Sequence, residues 1–127
     1  MLVVDASVVI ELLVGEDAAE IERRVRGADL VAPHLIDAEV PQVLRRFVRA
    51  GALSPERAEL ALADLSALSI ERYAHEPLVG RAWELRNNLT IYDALYVALS
   101  EAADAPLLTR DAALGRAPGV RATVEVL

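Results

Sequence analysis

The chain has 127 residues, 54% of them hydrophobic and 26% charged, which is the composition of a globular protein rather than a disordered one, and its length predicts one domain over residues 1–127. It has no cysteine, and all 13 basic residues are arginine, which excludes disulfides, thiolate metal sites, cysteine nucleophiles and lysine Schiff bases. Because 20 acidic residues leave a net charge of −7, charge alone predicts a poor nucleic-acid binder.

The apolar N-terminus does not have the features of a targeting segment. It carries Asp5 and Glu11, has no basic start and has no small-x-small cleavage site. No apolar run approaches the ~20 residues that would span a bilayer. The lack of cysteine also suits a reducing compartment, so we expect a cytoplasmic protein without a membrane anchor.

Apolar runs and helical periodicity divide the chain into alternating strands and helices. In chain order we predict strand 2–4, helix 8–14, helix 17–26, strand 30–32, helix 35–50, helix 54–65, strand 68–73, helix 77–86, helix 90–103, strand 106–109, a short helix from residue 111 and strand 123–126. Capping signals support several helix starts, among them Ser54-Pro55 and the Thr90…Asp93 capping box. Strands separated by helices predict an α/β fold in which a parallel sheet carries helices on both faces.

This predicted arrangement brings four acidic residues together in one candidate site. Asp5 and Asp111 come directly after strands, while Glu39 and Asp93 fall in the first turns of helices. All four are therefore expected at the carboxyl edge of the sheet, where open α/β sheets bind ligands. Converging carboxylates repel one another unless a cation intervenes, and oxygen-only ligands indicate Mg²⁺ or Mn²⁺. Phosphodiester hydrolysis is the chemistry such a cluster supports.

A structural role explains the same acids without a metal. Each lies near a predicted helix N-terminus, where capping and the helix dipole favour a carboxylate by ~0.3–1 kcal/mol. Asp5 can cap the first helix, and Asp93 can be the acid of its capping box. Glu39 is harder to explain in this way because it lies in an apolar stretch beside Pro41.

Three segments carry a resemblance to a known family. VVDASVVIELL at the N-terminus, DAEVPQVLRR in the middle and TIYDALYVALSEAADAPLLTRDAAL near the C-terminus resemble the PIN-domain toxins of the VapC type, from VapBC toxin–antitoxin pairs. The match runs over essentially the whole chain, and the C-terminal segment is its most specific part. Pro41-Gln42 departs from the family pattern, which has a small residue or Asn after the helix acid.

The resemblance implies a three-layer α/β/α fold with strand order 3-2-1-4-5 and a Mg²⁺- or Mn²⁺-dependent endoribonuclease activity. By motif, it makes Asp5, Glu39, Asp93 and Asp111 the metal-binding and catalytic acids. The hydroxyls of Ser7 and Thr109 would support these acids, with Ser7 orienting Asp5. The resemblance also implies a VapB-type antitoxin and a homodimer.

Several side chains have less specific interpretations. Arg110 and Arg86 lie closest to the predicted edge and are the better candidates for RNA contact. Trp83, Tyr92 and Tyr96 are expected to pack in the core or at an interface. The acidity counts against tight metal-free RNA binding, not against cleavage, because four of the acids are assigned to one metal site.

Two other functions stay open at this point. A catalytically silent PIN-fold module that binds a partner would keep the same fold and the same acids. A small metal-dependent phosphatase of another α/β family would use a DxD motif, and Asp5-Ala6-Ser7 lacks the second acid.

Overall fold

A computed structural model describes all 127 residues and shows a five-stranded parallel sheet in the order β3-β2-β1-β4-β5. The strands are β1 Leu2–Val4, β2 Leu30–Pro33, β3 Ile70–Tyr73, β4 Leu107–Thr109 and β5 Val124–Val126. The predicted strand order is therefore confirmed. β1 is central, and it is buried along its whole length because it pairs on both sides and is covered on both faces.

The helices lie in two layers around this sheet. They are α1 Ala6–Val14, α2 Ala18–Val25, α3 Ile36–Arg49, α4 Pro55–Ala67, α5 Val79–Glu84, α6 Ile91–Ala103 and α7 Ala112–Arg116, with a 3₁₀ turn at Glu76–Leu78. α1 packs with α2, α3 and α4, whereas α5 packs with α6, which lies against β1, β2 and β4. The predicted three-layer α/β/α class is confirmed.

Some element boundaries differ from the prediction. α1 begins at Ala6, earlier than expected, because Asp5 alone caps it and accepts a hydrogen bond from the Val8 amide. The helix predicted over 77–86 is instead a 3₁₀ turn containing Pro77 followed by the short α5. Pro41 does not end α3, which continues to Arg49. The backbone bond that Pro41 cannot donate is the one to the carbonyl of Asp37, an exposed residue.

α6 is the most deeply buried helix and sets the position of one candidate acid. Its residues from Ala94 to Ser100 are all buried, and Tyr96 is among the largest fully buried side chains. The helix leads into β4 and ends at Asp104 in a left-handed conformation at the amino edge of the sheet. Its first turn, with Asp93, therefore lies at the carboxyl edge. No helix of the structure is long and apolar enough to cross a membrane.

Candidate functional site

Asp5 has the most hydrogen bonds of the four acids in the candidate site, and they hold both of its carboxylate oxygens. Oδ1 accepts from the Ser7 hydroxyl at 2.5 Å and from the Val8 amide at 3.2 Å. Oδ2 accepts from the Thr109 hydroxyl at 2.5 Å. Burial raises the pKa of Asp5, and these hydrogen bonds oppose that shift. The side chain is thus fixed where β1 ends and α1 begins.

Thr109 and Ser7 tie the end of β4 to this carboxylate. The Thr109 hydroxyl accepts a hydrogen bond from the Asp111 amide at 3.0 Å, and the Ser7 hydroxyl accepts one from the Arg110 amide at 2.9 Å. Each hydroxyl therefore both donates to Asp5 and accepts from the segment after β4. Asp111 itself caps α7 through Oδ1, which accepts from the Ala113 amide at 2.9 Å.

Asp93 lies in the first turn of α6, where its amide donates to the Thr90 hydroxyl at 3.1 Å. Burial raises the pKa of its carboxyl group, and the charges of Asp111 and Asp5 raise it further. The carboxylates of Asp111 and Asp5 therefore act electrostatically on Asp93. Thr90 is the N-cap of α6, and the Asp93 carboxylate takes no part in the cap while it feels the charges of the other acids.

Glu39 reaches the same edge from α3. Burial raises the pKa of its carboxyl group, the nearby Tyr96 hydroxyl lowers it, and the charges of Asp93 and Asp5 raise it again. Its Oε1 is buried and has no hydrogen-bond partner. The pair of Glu39 and Tyr96 is thus close enough for an electrostatic effect but lies outside hydrogen-bond geometry.

The four predicted acids therefore meet at one edge of the sheet, each within electrostatic reach of another. In this structure, however, no group of three or more His, Asp or Glu side chains is arranged to hold a metal ion. Both oxygens of Asp5 accept hydrogen bonds from hydroxyls, of Ser7 and of Thr109.

The donor chemistry nevertheless fits a hard divalent cation. The site offers only carboxylate and hydroxyl oxygens, and the unpartnered Oε1 of Glu39 is a buried acceptor without a proton donor. A cation would offset the like-charge repulsion that, together with burial, raises the pKa values of Glu39 and Asp93.

The two predicted RNA-contact arginines differ in their surroundings. The Arg110 guanidinium pairs with Asp17 at 3.1 Å and with Glu11 at 4.0 Å, so it is committed to two acids of the α1–α2 region. Arg86 has no acidic partner: its guanidinium lies over the Trp83 ring, 4.7 Å from the centroid, and donates to the Trp83 carbonyl.

The three aromatic side chains expected in the core or at an interface differ in exposure. Trp83 is 59% exposed and Tyr92 is 61% exposed, so neither packs in the core and an interface stays the prediction for both, whereas Tyr96 is 1% exposed and packs in the core. Sequence reasoning missed the relation of Tyr96 to the site. The signal available was its spacing, three residues after Asp93 and so on the same helix face. It also missed His75, whose Nε2 accepts a hydrogen bond from the Leu35 amide just before α3.

The comparisons with known proteins agree with this architecture. The PIN domain family matches residues 2–120, and the chain belongs to that family. Ribonuclease VapC1 of Mycobacterium tuberculosis is 45% identical over 98% of this chain and 96% of its own length, which places the chain among the VapC relatives of the family.

Solved structures show the same fold. PAE2754 from Pyrobaculum aerophilum superposes with a TM-score of 0.73 and 23% identity, covering 98% of this chain and 83% of that one. VapBC2 from Rickettsia felis, bound to a DNA fragment from its promoter, superposes with a TM-score of 0.69 and 14% identity over 98% of this chain and 97% of that one.

Proposed function

We propose that the protein is a Mg²⁺- or Mn²⁺-dependent endoribonuclease that acts as the toxin of a type II toxin–antitoxin pair in the cytoplasm. The observation that carries the proposal is the convergence of Asp5, Glu39 and Asp93, each with a raised carboxyl pKa, at the carboxyl edge of the sheet. The relative named Ribonuclease VapC1 supports RNA as the substrate.

Each acid has a distinct task in this proposal. Asp5 is the fixed ligand because Ser7 and Thr109 hold its carboxylate. Glu39 and Asp93 complete the inner set, and the exposed Asp111 suits contact through water at the rim. A divalent cation held by these acids would supply an activated water and a charge that stabilises the leaving oxygen, which would give a 3′-hydroxyl and a 5′-phosphate.

Arg86 is the arginine best placed to hold RNA phosphate, because no carboxylate competes for its guanidinium. Arg110 joins it only if RNA displaces Asp17 and Glu11. Guanidinium groups bind phosphate while the chemistry stays with the carboxylate site.

The proposal includes a VapB-type antitoxin and a homodimer. The structural neighbour VapBC2 is a complex, which supports a protein partner for this fold. A cluster of carboxylates is complementary to a basic antitoxin segment, in particular to an arginine entering the pocket. Expressed alone, the protein is expected to inhibit translation and arrest growth, and co-expressed antitoxin is expected to co-purify with it. Light scattering on the purified protein tests the dimer.

RNA cleavage in Mg²⁺, Mn²⁺ or excess chelator tests the activity directly. Wild type is expected to cleave only with added cation, and Asp5→Asn and Asp93→Asn are expected to lose cleavage by more than about 100-fold, since single electrostatic groups at such sites contribute ~10²–10³ in rate. Asp37→Asn is the matched control, because Asp37 pairs with Arg72 away from the site. Equal cleavage by wild type and the two site variants would exclude the assignment.

A catalytically silent partner-binding module is the second candidate. The observation in its favour is that the carboxylates are not arranged to hold a metal ion in this structure. Under that alternative, wild type binds the antitoxin but neither binds Mn²⁺ at the carboxyl edge nor cleaves RNA at any cation concentration.

A further inference from the structure

Two buried polar atoms in the structure have no hydrogen-bond partner, and they belong to two residues that lie beside each other in space. They are Oε1 of Glu39 and the hydroxyl oxygen of Tyr96. More than about 90% of buried polar groups in native proteins are paired, so an unpaired one calls for a reason. Here one atom is an acceptor and the other carries a proton to donate, which makes them complementary.

The Tyr96 hydroxyl lies beside Glu39 and is shielded from solvent. The side chain is 1% exposed and is packed within the most deeply buried helix. It therefore presents a hydroxyl donor to Glu39 from one helical turn after Asp93.

Glu39 is the acid that most needs such a donor. Asp5 accepts three hydrogen bonds that fix its carboxylate. Asp93 and Asp111 are held close to the backbone by short side chains in helix first turns. Glu39 has one more rotatable bond than an aspartate, and no hydrogen bond in the structure holds its buried oxygen.

We propose that Tyr96 is a positioning residue, whose hydroxyl donates a hydrogen bond to Glu39 and fixes this carboxylate as a metal ligand. A carboxylate has two oxygens, so one can serve the cation while the other accepts from Tyr96. Partners of this kind orient metal ligands, and their loss typically weakens metal affinity by about 10–100-fold. The inference rests on the proposed metal site at this edge.

A purely structural role for Tyr96 makes a different prediction. Its ring fills the core, and phenylalanine would fill the same space while removing a buried hydroxyl that has no partner. If packing is the whole role, Tyr96→Phe leaves metal affinity unchanged. The two roles therefore predict different metal affinities for a variant that lacks only the Tyr96 hydroxyl oxygen.

The test is a calorimetric Mn²⁺ titration of wild type, Tyr96→Phe and the control Tyr73→Phe, with the melting temperature of each as a check on folding. Tyr73 is a half-buried tyrosine of β3 that is not among the groups perturbing the site carboxylates. We expect Tyr96→Phe to bind Mn²⁺ about 10-fold or more weakly, as loss of a ligand-orienting partner does. Tyr73→Phe is expected to match wild type.

A double-mutant comparison and a spectroscopic readout make the result specific. In a Glu39→Gln background, Tyr96→Phe is expected to cause little further loss of affinity, because its partner carboxylate is already gone. In the Tyr73→Phe/Tyr92→Phe protein, where Tyr96 is the only tyrosine, Mg²⁺ is expected to change the near-ultraviolet tyrosine spectrum. This second measurement needs no substitution of Tyr96 and so does not depend on that variant folding.

The outcomes separate the two levels of the argument. If wild type binds Mn²⁺ and cleaves RNA while folded Tyr96→Phe binds Mn²⁺ equally well, Tyr96 is a packing residue and the proposed function stands. An unchanged tyrosine spectrum in a protein that binds Mg²⁺ would overturn the inference in the same way. If wild type binds no Mn²⁺, the proposed metal site and the proposed role of Tyr96 are both wrong.

Discussion

The Thr109 hydroxyl donates a 2.5 Å hydrogen bond to Oδ2 of Asp5, which joins the ends of β1 and β4 across 104 positions of sequence. The same hydroxyl accepts from the Asp111 amide, so one oxygen organises two of the four acids. Thr109 is fully buried, and water cannot replace it.

Replacing this hydroxyl with a methyl group is expected to weaken the site more than the fold. Thr109→Val leaves Asp5 Oδ2 and the Asp111 amide without their partner, which destabilises the protein by about 1–3 kcal/mol. We also expect Mn²⁺ affinity to fall by about 10–100-fold, since the hydroxyl orients a ligand. Thr109→Ser keeps the donor and should restore affinity in the same titration. Equal Mn²⁺ affinity in wild type and Thr109→Val would show that Asp5 needs no such support.

The raised pKa values of Asp5, Glu39 and Asp93 predict a specific pH dependence of stability. The folded state binds protons at these groups more readily than the unfolded chain does. In chelator, the free energy of unfolding is therefore expected to increase as pH falls from 7 toward about 5, and these three groups oppose folding at neutral pH. Below about pH 4.5, loss of the ion pairs of Glu101 and Glu125, whose pKa values are lowered, reverses the trend. Thermal melts from pH 4 to pH 8 check both arms, and a stability that rises steadily with pH would contradict the first.

Asp93→Asn is expected to stabilise the metal-free protein while it removes activity. The amide keeps the shape of the side chain but removes a charge whose burial, together with repulsion from Asp111 and Asp5, raises the Asp93 pKa. We expect a gain of a few degrees in Tm at pH 7, where 1 kcal/mol corresponds to roughly 4 °C, and no gain near pH 4. Asp37→Asn, which breaks an ion pair with Arg72, serves as the control and should not raise Tm. An unchanged or lower Tm for Asp93→Asn would mean that the carboxylates do not strain the fold.

Arg81 is expected to be the arginine most important for stability. Its guanidinium binds Glu101 through two nitrogens at 2.7 Å and 3.1 Å and also donates to the Gly119 carbonyl at 2.7 Å, which ties α5, α6 and the segment before β5 together. Arg81→Met should lower stability by about 2–3 kcal/mol because it leaves the Glu101 carboxylate, which is only 15% exposed, with the Arg121 amide as its one remaining partner. Arg24→Met, at a more exposed pair with Glu125, should have a smaller effect in the same urea titration. Equal losses for the two variants would contradict this ranking.

Arg86 is expected to act in RNA binding and not in the chemical step. Arg86→Gln should raise KM several-fold with kcat nearly unchanged and should reduce the salt dependence of binding by about one phosphate contact. Arg23→Gln is the matched control, because Arg23 is an exposed arginine in the last turn of α2, at the opposite edge of the sheet. A loss of kcat without a change in KM would instead place Arg86 at the reacting phosphate.

The sequence was sufficient to predict the fold because local and long-range signals agree. Short apolar strands alternate with capped helices. Parallel pairing of those strands is enough to place the four candidate acids at the carboxyl edge of the sheet. Where a predicted boundary was wrong, a single residue decided it: a 3₁₀ turn forms at Pro77, and Asp5 starts α1 at Ala6.

The candidate site was predictable in its acids but not in its supporting contacts. Asp5, Glu39, Asp93 and Asp111 follow from the strand ends and helix starts. Two of these contacts depend on how α2 and α6 pack, and periodicity does not specify that packing. They are the ion pair of Arg110 with Asp17 and the placement of Tyr96 beside Glu39. The exposure of Trp83 has the same origin, since the shortness of α5 leaves its outer face uncovered.

The most direct measurement is anomalous scattering from Mn²⁺ in crystals of protein that cleaves RNA. The account predicts a manganese peak at the carboxyl edge, within about 2.0–2.2 Å of oxygens from Asp5 and Asp93, with Glu39 rotated toward it. A cleaving protein whose crystals show no manganese at this edge, or show it only elsewhere, would contradict the account.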